Sequence, residues 1–191
     1  DSLSKGIEAK INSVEDFKFL SSIGLLSIKP KILVCNVDEE SLLKGNQYTK
    51  QLKDKYPNEK VINICADIED QLSGLDKSEK EVFMQEIGLN KTGLNKLIKE
   101  GYDLLKLDTF FTSGPEESRA WTIEKNSKAA DAAGVIHTDF KKKFIRAETV
   151  THEDFIKYKG FNECKNAGKL RLEGKDYLVN DGDVMYFRVG S

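Results

Sequence analysis

At 191 residues the chain can form one large domain or two small ones. Its 30 basic and 32 acidic residues leave a net charge of −2, which excludes a globally basic nucleic-acid binder but not a local basic patch. No apolar run approaches the roughly 20 residues that a bilayer-spanning helix needs. Cys35, Cys65 and Cys164 are few, odd in number and far apart, with no C-x-x-C pair. That pattern argues against a disulfide scaffold and for a reducing, cytoplasmic compartment. With only His137 and His152 as further ligands, no zinc site is expected either. The opening residues DSLSK carry neither an initiator Met nor a signal peptide's apolar region. A soluble piece of a longer chain is therefore expected.

The apolar spacing of Ile11, Val14, Phe17, Leu20 and Ile23 predicts a helix over 8–24. Gly24 and Pro30 bound it. A buried strand follows at 32–35, then a polar helix over 46–56 that Pro57 ends, then a second apolar strand at 61–65. Strand, helix and strand in so short a span predict a parallel βαβ unit. Residues 77–105 have a helical pattern broken by Gly88, Gly93 and Gly101. The texture changes near Leu107, and a boundary is expected at 105–107. Short β-rich runs follow at 109–112, 119–123, 144–150, 169–172, 177–179 and 184–188. Turn signals separate them at 113–115, 173–174 and 180–183. Helices are expected at 128–133 and 153–158. Strands mixed with helices predict an α+β module. Its expected core set is Phe110, Trp121, Ile123, Phe144, Ile145, Leu170, Leu172 and Phe187.

Asn36 and Glu39 stand where the first strand enters a polar turn, in KILVCNVDEE (31–40). Two readings are open. Asn-x-x-Glu is close to a capping box that opens a helix. It also resembles the base-reading Asn-Lys-x-Asp of P-loop GTPases, with Cys65-Ala66-Asp67 placed like the second loop that closes over the base. The stretch GLNKTGLNK (88–96) has Gly88 and Gly93 at P-loop separation, but Leu94 and Asn95 stand where Lys and Ser/Thr must grip phosphate and magnesium. It is expected to punctuate helices. His137-Thr138-Asp139 reads as a local cap, because no nucleophile is adjacent. The basic run Lys141, Lys142 and Lys143 reads as either a solvated loop or a phosphate-contacting patch, and the region from Leu107 onward, with that run included, is neutral overall. Phe140, Phe144 and Trp121 could stack bases there, although aromatic residues in such strands more often form core.

Four stretches, NVDE (36–39), SRAWTI (118–123), AAGVIHTDFKKKFIRAE (132–148) and GKLRLEGKDYLVNDGDVMYFRV (168–189), resemble the C-terminal half of the Obg-like ATPase family, called YchF or EngD in bacteria. The resemblance covers essentially the whole chain. It implies an α/β partial P-loop sheet followed by an α+β β-grasp domain of the TGS, ubiquitin-like kind. Residues 1–26 correspond to the last helix of a helical insertion, 27–105 to the end of the nucleotide domain and 106–191 to the TGS domain. The family's P-loop, magnesium ligands and switch regions lie upstream and have no counterpart here. The resemblance thus implies an ATP hydrolase using ATP or GTP with Mg2+ in the intact protein, and an inactive fragment with no tightly bound cofactor. It implies base contact by Asn36, Val37, Glu39, Cys65 and Ala66. It further implies ribosome or RNA contact through Lys141, Lys142 and Lys143. An incomplete sheet is expected to pair with the missing half or to self-associate. The competing expectation is a non-catalytic β-grasp module that binds protein.

Overall fold

The computed structural model describes residues 3–5 and 11–190. The chain divides into two compact units, one ending at Leu104 and the other beginning at Leu105.

In the first unit, helix α1 spans Val14–Ser22 and starts where the Ser13 hydroxyl accepts from the Asp16 amide at 3.0 Å. It is shorter than expected, and residues 8–10 of the expected span lie outside the described residues. None of its residues is buried, and Val14, Phe17 and Phe19 face solvent. Strands β1 (Ile32–Asn36) and β2 (Lys60–Ile64) pair in parallel, with Leu33 opposite Val61 and Asn36 opposite Ile64. Between them runs α2 (Gln47–Lys55). Parallel pairing demands such a crossover, so the βαβ expectation holds. Helix α2 opens with a capping box in which Asn46 accepts from the Tyr48 and Thr49 amides, while the Thr49 hydroxyl accepts from the Asn46 amide.

Helix α3 (Ala66–Ser73) was not legible in the sequence pattern. Helices α4 (Lys77–Glu86) and α5 (Gly93–Leu104) share the region 77–105. Gly88, at φ +70, breaks it as expected. Gly101 does not, because one interior glycine costs a helix only about 1 kcal/mol. The buried cluster of this unit is Leu42, Cys65, Ile68, Leu72 and Leu89, joined by Val37, Phe83 and Met84.

The second unit holds β3 (Leu107–Ser113), β4 (Ser118–Glu124), α6 (Ala129–Ile136), α7 (Thr138–Lys142), β5 (Phe144–Thr151), α8 (His152–Tyr158), α9 (Phe161–Asn166), β6 (Arg171–Glu173) and β7 (Asp183–Val189). Its sheet has the order β4-β3-β7-β5-β6. Only the central β3–β7 pair is parallel. Neighbours on a strand point to opposite faces. Phe110 and Met185 therefore enter one core with Ile123, Phe187 and three alanines of α6, Ala129, Ala132 and Ala133, whose small side chains let the helix sit close to the sheet. Phe111 and Val184 enter a second core on the opposite face, with Val150, Cys164, Phe155 and Phe161.

Three expectations for this unit need correction. Residues 177–179 are not a strand; only Leu178 bridges, to Lys128, because the Tyr177 side chain is drawn into a polar cluster described below. Ile145 is 59% exposed, since the β5–β7 register shifts between Phe144 and Arg146. Leu172 is 62% exposed, lying on the short edge strand with its neighbours Arg171 and Glu173 turned inward. Helices α7 and α9 were too short to show a period.

Candidate nucleotide-base site

Two parallel strands in register deliver their C-terminal loops to the same end of a sheet, the end where open α/β sheets bind ligands. Here those loops begin at Asn36 and Cys65. The Val37 amide donates to the Ile64 carbonyl at 2.8 Å, extending the ladder by one bond. The Asn36 side-chain oxygen then accepts from the Ala66 amide at 3.1 Å. Asn36 thus reaches across 30 residues of sequence and fixes the second loop against the first. Cys65 is buried at the start of α3 and makes no side-chain cap bond, while Ala66 is exposed as that helix's first residue. The structure brings Asn36, Val37, Cys65 and Ala66 together.

Glu39 lies one turn away, exposed, in a run of turns that precedes Asn46. No helix starts at Asn36, so the capping-box reading of Asn36 and Glu39 is overturned; the capping boxes among the described residues are Asn46 with Thr49 and Asp76 with Glu79. It is Asp38, unremarked in the sequence, that closes this turn. Its carboxylate accepts from the Ser41 amide at 2.8 Å, and bonds from Ser41 hold it below the usual carboxylate range. An Asp accepting from the amide three residues on makes the bond of an N-cap, a role for which Asp is among the preferred residues.

The P-loop-like stretch is closed to phosphate by the protein itself. The Gly93 and Leu94 amides at the start of α5 donate to the Glu69 carboxylate, at 2.5 and 3.3 Å. A Cβ on Gly93 would come within 2.8 Å of Glu69 Oε1 and of Ile64 Cγ2, so the glycine serves close packing. The anion favoured by a helix N-terminus is already present as a side chain. Among the described residues no cluster of three or more His, Cys, Asp or Glu could hold a metal.

In the second unit, Lys141 and Lys142 occupy the last turn of α7, and Lys143 is its C-cap. All three are exposed. Lys141 is not simply presented to solvent: its ammonium pairs with Asp131 at 2.6 Å and its stem lies against Gly134. His137 caps α7, its Nδ1 accepting from the Asp139 amide at 3.2 Å. Phe140, Phe144 and Trp121 pack against the core, as the commoner role of such aromatic residues suggested.

Sequence reasoning missed a polar cluster altogether. The Asp183 carboxylate, 2% exposed, accepts from Arg171 Nη2 at 3.2 Å, the Tyr177 hydroxyl at 2.8 Å and the Asn180 amide at 3.0 Å. Its signal is the NDGD turn (180–183), whose second aspartate enters the sheet.

The α/β strand ends and the separate five-stranded unit define a two-unit protein of mixed α/β sheets. Comparison with known proteins places it further. The family YchF-GTPase_C, described as "Protein of unknown function (DUF933)", matches residues 107–190. The chain is 46% identical over 176 residues to the ribosome-binding ATPase YchF of Haemophilus influenzae, covering 91% of this chain and 48% of the relative. It is 44% identical over 178 residues to the ribosome-binding ATPase YchF of Bacillus subtilis, covering 91% and 49%. Among solved structures it matches the Schizosaccharomyces pombe YchF GTPase with TM-score 0.75 and 34% identity, covering 94% of this chain and 48% of that one. A GTP-binding protein from Pyrococcus horikoshii shares the fold, with TM-score 0.58 and 20% identity. The chain belongs to the YchF family, and it spans about half the length of the curated relatives it matches.

Proposed function

We propose that this chain is the C-terminal part of a cytoplasmic, ribosome-associated P-loop ATPase, carrying the edge of the nucleotide site that reads the base. In this reading residues 1–26 end a helical insertion, 27–105 complete a P-loop domain and 106–191 form a TGS domain. The observation that carries it is the bond from the Ala66 amide to Asn36, which ties together two loops at the C-terminal ends of parallel strands. The five-stranded sheet closed over α6, with the unit's first and last strands parallel at its centre, supports the β-grasp assignment. The relatives named as ribosome-binding ATPases support the activity and the partner. ATP, or GTP, would bind with Mg2+ only in the intact protein, because the phosphate grip lies outside this chain.

The geometry refines the base contacts. With the Asn36 oxygen bonded to Ala66, the amide nitrogen is the group left to donate to purine N7, an acceptor in adenine and guanine alike. The Val37 amide is also engaged, with Ile64. Its carbonyl is left, and a carbonyl accepts from adenine's 6-amino group but repels guanine's O6. Glu39, longer by a methylene than the GTPase aspartate, is misplaced for guanine's two donors. In the RNA reading, Lys142 and Lys143 contact phosphate, and Lys141 joins them only on leaving Asp131. The unit's open strand pair would be completed by the remainder of the intact protein or, in this chain alone, by a second copy.

The test is nucleotide titration of the full-length protein. Val37→Lys with Glu39→Asp restores Asn-Lys-x-Asp and should shift the ATP/GTP affinity ratio toward GTP by roughly tenfold, the worth of one well-made charge-assisted bond. An unmoved ratio in a folded double variant would show that this edge does not read the base.

A further inference from the structure

The second unit carries a cleft that neither the base site nor the basic run uses. Strands β3 and β7 pair at a single position, Phe111 with Val184. Beyond it β3 continues only into its hairpin with β4, through Gly114 and Pro115, while β7 stays paired with β5. The hairpin therefore stands away from β7 and leaves a cleft of about 430 Å³ between them. That volume lies within the roughly 300–1,000 Å³ of ordinary ligand pockets. Trp121, Ile136, Phe140 and Phe187, the edge of the first core, line it. The only charged residues in its lining are Glu116 and Glu117, both exposed on the hairpin tip. Arg119 lies over the Trp121 ring at 4.1 Å but is not part of the lining.

We propose that this cleft docks an extended basic polypeptide, with an aliphatic side chain of the partner entering between hairpin and β7 and its flanking Lys or Arg meeting Glu116 and Glu117. Two features select this occupant. The lining below the mouth is mostly apolar and aromatic, with Thr112 and Ser113 as its small polar residues, which suits a side chain or a stem of methylenes. The mouth is acidic, which attracts a cationic chain and repels a phosphodiester backbone. The cleft is thus a protein-docking surface, and it stands independently of any RNA contact at Lys141, Lys142 and Lys143.

The chain contains one tryptophan, Trp121, so its emission reports occupancy directly. The probe is the blocked heptapeptide Gly-Lys-Leu-Lys-Leu-Lys-Gly, titrated into the 191-residue protein. Its saturable change in Trp121 emission should weaken by about tenfold or more in Glu116→Gln/Glu117→Gln, whose thermal midpoint should match the parent's. Replacing both leucines by serine should weaken it similarly, and replacing the lysines by glutamate should abolish it. Equal binding of the glutamate peptide, full binding to the double variant, displacement by a short oligouridylate, or no saturable change at all would each overturn the assignment.

Discussion

The two units use their apolar residues in opposite ways. The second sets a five-stranded sheet between two cores, so adjacent residues such as Phe110 and Phe111 are both covered, one on each face. The first has two strands and one cluster, and leaves Phe19, Val34 and Ile98 in solvent. A sheet is self-sufficient only when its faces are covered and its edges are short or blunted. The second unit sets a core on each face of its sheet from its own sequence. The first leaves exposed apolar residues on α1, β1 and α5.

This contrast can be broken by the core itself. Phe110 is fully buried and meets the Phe187 ring edge-on at 5.9 Å. Phe110→Ala should destabilise the second unit by about 3–5 kcal/mol, read as an earlier denaturant midpoint of Trp121 fluorescence. A much smaller loss would mean that the two-faced core is not what holds this unit. The Asp183 cluster comes next. Asp183→Ala takes away the acceptor for the Tyr177 hydroxyl proton and for the Asn180 amide, while Arg171 keeps Glu173 and Tyr177 and is exposed enough to recover water. The expected cost is about 2–3 kcal/mol by the same measurement. In the first unit the corresponding device is local: Asn46→Ala removes one capping box and should cost about 1 kcal/mol, read as loss of α2 amide protection in hydrogen exchange. If that loss spread through β1 and β2 as a single cooperative event, the first unit would be better integrated than its exposed apolar residues imply.

The smallest effect is one of pH. Burial first, then the bond to Asp183, pushes the Tyr177 phenol above its usual range. A raised pKa means the folded state keeps its proton longer. The stability linked to that proton is complete below about pH 10 and is lost as pH rises from the unfolded toward the folded value. Burial likewise raises the Cys164 thiol, whose loss begins at lower pH. The alkaline decline of the second unit should therefore be shallower in Tyr177→Phe than in the parent, with the remaining slope due to Cys164 and to Lys128, which its bond to Asp176 raises. In the first unit the resolved shifts are the lowered carboxylates of Asp38 and Asp76, held by hydrogen bonds from Ser41 and from the Glu79 amide and Ser78. Their linked stability is present above the usual carboxylate pKa and fades as pH falls. Asp176 of the second unit is lowered too, by its bond from Lys128, so unfolding curves at both pH extremes should show an acid limb in both units and an alkaline limb in the second.

Much of this was legible in the chain itself. The β-branched runs at 32–35 and 61–65, with a polar helix between them, specify a parallel pair, because periodicity and crossover length are local properties. The turn signals likewise announced the hairpin at 113–118 and the entry into β7, and the family stretches pointed to YchF. Long-range pairing decided the rest. Whether Asn36 caps a helix or clamps Ala66 depends on β1 lying beside β2, a contact no local window contains. Ile145 turned outward because of a register shift set by its partner strand, and Tyr177 left the sheet because Asp183 offered a buried acceptor. The basic run looked uniform along the sequence, yet the fold gave Lys141 a carboxylate from the preceding helix. Local propensity selects the elements; the partners that satisfy each polar group and cover each face are chosen only when those elements meet.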